Sequence, residues 1–346
     1  MFKRLGCVVL AATFVTLASD CRAECKPTKT DDPDIAPAAN VVDLLHRHQL
    51  TTDDLFRAMH ETSQFETNGC WAGASNPDAQ YLSVGIMQWN LGKHSLQPIL
   101  RTYLQHFDVA SYRRQYIHNL MPNHGEAFFA NCLSMAVTSA CKNTIYLHWK
   151  DVPAGTPPKL NPDVAKELDR LFNDKLMRQI QLDLYAKAFT ASIDDFENIY
   201  HNPRPSYWQE AWAIDVKTQL GRRVLTDNAV RRISDAVRRD PGAAFDSFLL
   251  LYESQCLDLT QHVNKTDCKN NSELWPRQKE RLTSVDKDRL ITLAFTKRII
   301  DTLDVSRVSG GIGSGEWRLD AFTRKATIAI GTGYVHESLI DDLPNS

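Results

Sequence analysis

Beyond the extreme N-terminus, no stretch of this chain stays apolar for the roughly 20 residues that a membrane-spanning helix needs, so no membrane span is predicted. An excess of one charge is also missing: 40 Lys and Arg face 42 Asp and Glu. Proteins that grip nucleic-acid phosphates carry a clear Lys/Arg surplus, so nucleic acid is not expected as the main partner. No Cys-x-x-Cys pair occurs and the histidines are scattered, which argues against zinc. His46, His48 and His60 are close in sequence, but His46 and His48 fall on different faces of a helix and no Asp or Glu completes a ligand set, so no metal is predicted. The glycine-rich run from Ser309 to Gly315 lacks the Lys-Ser/Thr ending and the preceding strand of a phosphate cradle. With no other cofactor motif present, no cofactor is predicted.

What is present begins with an address. Lys3 and Arg4 precede the apolar run Leu5 to Ala18, and Cys21-Arg22-Ala23 supplies a small residue at a cleavage site, the pattern of a secretory signal peptide cut after Ala23. Its removal leaves Cys25, Cys70, Cys132, Cys141, Cys256 and Cys268, an even set that predicts a disulfide framework in an exported, periplasmic or secreted protein. Fifteen pairings are possible. Short separation favours Cys132 with Cys141 and Cys256 with Cys268, leaving Cys25 for Cys70. Residues 24–40 read as an extended arm, 41–150 as a catalytic lobe and 159–346 as a second helical lobe, joined by the Pro-rich segment Asp151 to Pro158.

Chemistry concentrates between Leu55 and Gln97. Thr51 or Thr52 caps a helix with Asp53 and Asp54 in its first turn, and the pattern predicts that it ends near Glu61, with Asn68 and Gly69 turning the chain away. At a helix C-terminus the macrodipole and apolar packing both favour the protonated acid, which suits a general acid for glycoside cleavage. Tyr81 to Trp89, with Gly85 inside, predicts a short hairpin. Gln88 and Asn90 supply amides beside it, and Tyr81 and Trp89 offer flat faces for a sugar ring.

The Glu-Thr-Ser at a helix end, an acid before the hairpin and Ser83-Val84-Gly85-Ile86-Met87-Gln88 resemble the lysozyme-like superfamily. Gly-Ile-Met-Gln looks like the motif of lytic transglycosylases. Asp78 before Leu82-Ser83-Val84-Gly85, and Gln88-Trp89-Asn90-Leu91-Gly92 running into Ser95-Leu96-Gln97, look more like the chitosanase-like branch and its peptidoglycan-hydrolase relatives. The resemblance implies a mainly α, two-lobed fold with a hairpin at the cleft. It further implies Glu61 as the acid and Asp78 as the group that activates water, with Glu66 close enough to compete for the acid's role. Ser83, Gly85, Gln88 and Asn90 would then floor a polysaccharide site. Thr323 to His336 is similar to the C-terminal segment of the same relatives, where a helix enters a Gly-x-Gly turn, and implies that Arg324 supports Glu61 or Asp78. The expected activity is peptidoglycan cleavage by a muramidase or lytic transglycosylase. Chitosan hydrolysis by Glu61 and Asp78 is the alternative, and a non-catalytic glycan-binding protein is the third.

Elsewhere the spacing predicts helices from Ser95 to Leu104, Tyr112 to Met121, Glu126 to Ala140 and Asp286 to Thr302, and one long helix from Asn161-Pro162-Asp163 through Leu184. Tyr207, Trp208 and Trp212 read as core ahead of a sugar platform, and the run Phe248 to Leu251 as the central buried helix. Asn264 to Arg277 reads as a polar, disulfide-closed loop with a glycosylation sequon at Asn264. Asp246 and Glu253 read as solvated or paired carboxylates.

Overall fold

The computed structural model describes residues 25–341 apart from 29–31, 76–80, 152–157, 221–224, 258, 260–261 and 304–313. The expected leader, Asp78, the centre of the expected linker and most of the glycine-rich run lie outside the described residues. The chain is mainly helical. In order, α1 (Ala39–Arg47) and α2 (Thr52–Thr67) precede a hairpin of β1 (Ser83–Val84) and β2 (Trp89–Asn90). Next come α3 (Leu96–Gln105), α4 (Ala110–Leu120), α5 (Gly125–Cys132), α6 (Ser139–Ile145), α7 (Pro162–Asn173) and α8 (Lys175–Asn198). The remainder is α9 (Tyr207–Leu220), α10 (Asp227–Arg239), α11 (Pro241–Gln255), α12 (His262–Leu274), α13 (Lys279–Ser284), α14 (Lys287–Asp301) and α15 (Ser314–Ile330). A second hairpin, β3 (Thr332–Val335) with β4 (Ser338–Asp341), follows.

Caps set most of these boundaries. Thr51 and Asp54 form a reciprocal capping box at the start of α2, and Asn68 closes its far end in the left-handed conformation. The helix therefore runs past Glu61 to Thr67, one and a half turns further than the residue pattern predicts. The single helix expected after Asn161 is two. Asp174 turns extended, its carboxylate accepts from the Leu176 N–H, and a new N-terminus begins in the middle of the apolar run. Likewise the helix expected over Glu126 to Ala140 is α5 and α6, joined by the Cys132–Cys141 disulfide.

Two apolar cores result. One gathers the β1–β2 hairpin with α3 to α7 around Tyr103, Phe128 and Phe172. The other gathers α2 with α9 to α15 around Trp212, Trp275 and Phe322. Met177 and Ile180 at the start of α8 enter the first, and its buried residues from Leu182 onward the second. The cores therefore do not divide at the expected linker: α2 packs on α9, α1 rests on α8, and the N-terminal helices complete the C-terminal core. The buried central helix is α15, whose residues from Ala321 to Ile330 are all buried. α11 buries only one face, leaving Leu250 67% exposed. Trp208 and Trp212 lie in the core, and Trp212 donates its indole N–H to Thr296. No helix among the described residues is long and apolar enough to cross a membrane.

Three disulfides, Cys25–Cys70, Cys132–Cys141 and Cys256–Cys268, follow the pairing that short separation favours and fit an oxidising compartment. The segment expected as a polar loop from Asn264 is instead α12, because its polar residues are buried acceptors and donors. Asn271 bonds both the N–H and C=O of Tyr334, and Asp267 accepts the N–H groups of His336 and Glu337. Asn264 is buried and donates to Glu316, so the sequon is not displayed as a surface site. Asp246 is an exposed partner of Lys279.

Loop closure predicts that Cys25–Cys70, spanning 45 residues, contributes about 4 kcal/mol and Cys132–Cys141, spanning 9, about 2.6 kcal/mol. Denaturation of Cys70→Ser and Cys141→Ser should show the first variant less stable; the reverse order would mean that strain or residual structure outweighs chain entropy. Gly85 has φ +83°, and a Cβ there would meet Gln181 Oε1 at 2.6 Å and Phe172 at 2.9 Å. Gly85→Ala should lose roughly 2–4 kcal/mol through left-handed strain and overpacking, read as a lower Tm.

Candidate functional site

A cleft of about 510 Å³ opens between the first hairpin and the C-terminal core. The hairpin side contributes Ser83, Met87, Gln88 and Asn90. Glu66 comes from the last turn of α2, and Thr218 and Gln219 from the end of α9. The opposite wall is α15, with Glu316, Asp320 and Arg324, joined by Asn264 of α12 and His336 of the β3–β4 turn. A second cavity of about 640 Å³, between α3, α4 and α5, is floored by Ile117, Met121 and Phe129 and carries one carboxylate, Glu126, beside Arg113 and Arg114. Of these two, the first gathers three carboxylates.

The residues that the sequence nominates divide sharply. Glu61 does not reach the cleft: it is 5% exposed, faces the packing of α2 on its neighbours, and acts electrostatically on Arg289 and Tyr185. The physical reason is the helix end. With α2 extending to Thr67, Glu66 occupies the C-terminal turn and points into the cleft, whereas Glu61 falls on the buried face between Met59 and Phe65. Glu66, not Glu61, is therefore the α2 carboxylate that lines this cleft. Asp78 lies outside the described residues.

The hairpin is built largely by its own polar groups. Ser83 exchanges backbone hydrogen bonds with Ser75, Gln88 accepts from the Ser75 hydroxyl at 2.8 Å and donates to Gly73 C=O at 3.1 Å, and Asn90 Oδ1 accepts from the Lys93 N–H at 2.7 Å. Ser95 makes no side-chain cap to α3; its hydroxyl accepts from the Asn90 N–H and ties the hairpin to α3. Ser83, Gln88 and Asn90 face the cleft, whereas Gly85 turns toward Phe172 and Gln181. Trp89 packs between the two cores, and the Tyr81 ring lies under Lys142, so neither aromatic lines the cleft.

Arg324 does not meet Glu61. Its Nη2 donates to Glu66 Oε1 at 2.5 Å and to Asp215 Oδ1 at 2.5 Å, and Lys325 Nζ donates to Asp215 Oδ2 at 2.7 Å. Asp215 and Lys325 are fully buried. Burial alone would raise the Asp215 carboxyl, but Arg324 and Lys325 together overcome it and hold the group below its ordinary value. Burial lowers Lys325, with Asp215 opposing. For Arg324 burial works against the charge, yet Asp215 and Glu66 more than compensate and raise it. The result is a cation fixed in position by one buried anion and presented to a second anion at the cleft surface.

Across from Glu66, Asp320 accepts from His336 Nε2 at 2.8 Å. Burial pushes Asp320 up, and the bond from His336 with the Arg324 charge brings it below its ordinary value. His336 is raised, by the Asp320 contact first, with burial opposing. Sequence reasoning passed over Glu316 and Asp320; the one signal for them is spacing, since Glu316, Asp320 and Arg324 stand four apart on one stripe of a helix. Among the described residues no cluster of His, Cys, Asp and Glu has the arrangement to hold a metal. No protein-family model, no curated protein and no solved structure matches this chain.

Proposed function

We propose that this protein is an exported glycan-cleaving enzyme of lysozyme-like architecture acting on peptidoglycan, with Glu66 delivering the proton to the glycosidic oxygen. One observation carries the reading: a carboxylate at the C-terminal turn of a helix stands in a cleft beside a glycine hairpin and is held through one oxygen by a buried arginine. Because Arg324 engages Oε1, Oε2 is the oxygen left to take a proton and pass it on. Arg324 Nη2 is shared between Glu66 and buried Asp215 and orients the Glu66 carboxyl in the cleft. Ser83, Gln88 and Asn90 provide hydrogen-bonding groups along the hairpin wall, and the three disulfides support export.

A second reading, chitosan hydrolysis, is favoured by charge. Glu66, Glu316 and Asp320 outnumber Arg324 in the lining, and Arg324 is itself matched by Asp215, which suits a polycationic glycan.

Products released from purified peptidoglycan and from chitosan, read by mass spectrometry, separate these readings. Reducing muropeptides mean a hydrolase, anhydro-muropeptides a transglycosylase, and glucosamine oligomers a chitosanase. Glu66→Gln should lower kcat/KM by about 10²–10⁴-fold. Glu61→Gln should leave kcat/KM within a few-fold and lower stability by about 1–3 kcal/mol, since it removes a buried charge from its neighbours. Full activity in Glu66→Gln with loss in a folded Glu61→Gln would reverse the assignment, and no product from either polymer would leave a glycan-binding protein.

A further inference from the structure

The turn between β3 and β4 is built at a conformational cost that packing does not explain. Val335 pairs with Ser338, so only His336 and Glu337 make the turn, and both are left-handed, with φ 51° and 65°. Such a turn ordinarily takes Asn-Gly or Gly-Gly, and two side-chain-bearing residues there cost about 1–2 kcal/mol each. A dedicated acceptor holds it: the carboxylate of Asp267, 3% exposed, takes the N–H of His336 at 2.7 Å and that of Glu337 at 2.8 Å. Strain maintained by a buried charged group is a mark of functional placement. What the turn places is the His336 imidazole, in the wall of the same cleft that Glu66 lines, with Nε2 on Asp320.

We propose that His336, oriented by Asp320, is the general base of this cleft, an inference that rests on the glycan-cleaving reading above. The Asp320 carboxylate accepts, so the Nε2 position carries the hydrogen and Nδ1 holds the lone pair that takes a proton. In the step, Glu66 protonates the glycosidic oxygen, which leaves with the electron pair of the C1–O bond. A water oxygen bonds to C1 and its proton passes to His336 Nδ1. Solvent then returns the proton from His336 to Glu66, so that one water is consumed per bond cleaved. If the nucleophile is a hydroxyl of the sugar itself, the same nitrogen receives its proton and no water is consumed. Asp320 thus acts as a positioning residue. The charged groups around the imidazole are Glu316, Asp320 and Arg324 on α15, Asp267 on α12, and Glu66 at the end of α2. Of these, Asp320 contributes most and raises the imidazole, with burial opposing, toward the range in which a base works near neutral pH.

The backbone supplies a clean test. Glycine adopts a left-handed φ without strain, so His336→Gly keeps the turn and removes only the ring. We expect kcat/KM on the cleaved glycan to fall by about 100-fold or more in a variant whose thermal unfolding shows it folded. Added imidazole should restore rate in proportion to its unprotonated form. In wild type, kcat/KM should rise with pH as His336 loses its proton; in Asp320→Asn that limb should move to lower pH, because the partner that stabilises the imidazolium is gone. Wild-type activity in His336→Gly, without response to imidazole, would overturn the proposal and pass the base to another group such as Asp78, with the glycan-cleaving reading intact. A wild-type chain that releases no product overturns both.

Discussion

Asp215 is the fixed point of this structure. It sits fully buried between Arg324 and Lys325, and those two adjacent residues belong to the helix at the centre of the larger core. Removing one partner of such a cluster leaves an uncompensated charge in a medium that solvates it poorly, a loss of about 3–5 kcal/mol. The cluster therefore pins α15 to α9 in one register. Everything on α15 that faces the cleft inherits that register: Asp320 one turn before Arg324, and Glu316 one turn before that.

From this point the cleft is assembled in opposite directions. Arg324 reaches Glu66 and fixes the last turn of α2, whose other side is tied by the Cys25–Cys70 disulfide and by Thr28, which donates to Gly69 C=O and meets Ser63 and His60. Asp320 meets His336, whose turn hangs on α12 through Asp267. The hairpin of the first core closes the remaining side and keeps its own shape through Ser75, Gln88 and Ser95. Two separately packed cores thus contribute opposite walls of one cleft, without a hole in either core.

Much of this was legible in the sequence because the signals were local. The Thr51 cap, the Asn68-Gly69 stop, the glycine hairpin and the disulfide pairs each depend on a few neighbouring residues. What was not legible depends on burial. Glu61 and Glu66 stand in the same helix and differ only in which face meets the core, and the position of the helix end decides that. Polar Asn264, Asp267 and Asn271 look like a solvated surface until β3 and its turn arrive to use their hydrogen-bonding capacity. The carboxylate stripe on α15 reads as an ordinary charged face unless Asp215, more than a hundred residues away, is known to sit beneath it.

As the proposed acid, Glu66 is the group to which a bound glycan would present its scissile oxygen. A crystal structure of Glu66→Gln, which keeps the size of the side chain and blocks turnover, soaked with an oligosaccharide of the cleaved polymer tests it directly. A glycosidic oxygen within hydrogen-bonding distance of the residue 66 amide, with the sugars lying between the hairpin and α15, is the predicted result. A chain of sugars bound in the cavity between α3, α4 and α5, or one crossing the cleft with its glycosidic oxygens out of reach of residue 66, would contradict it.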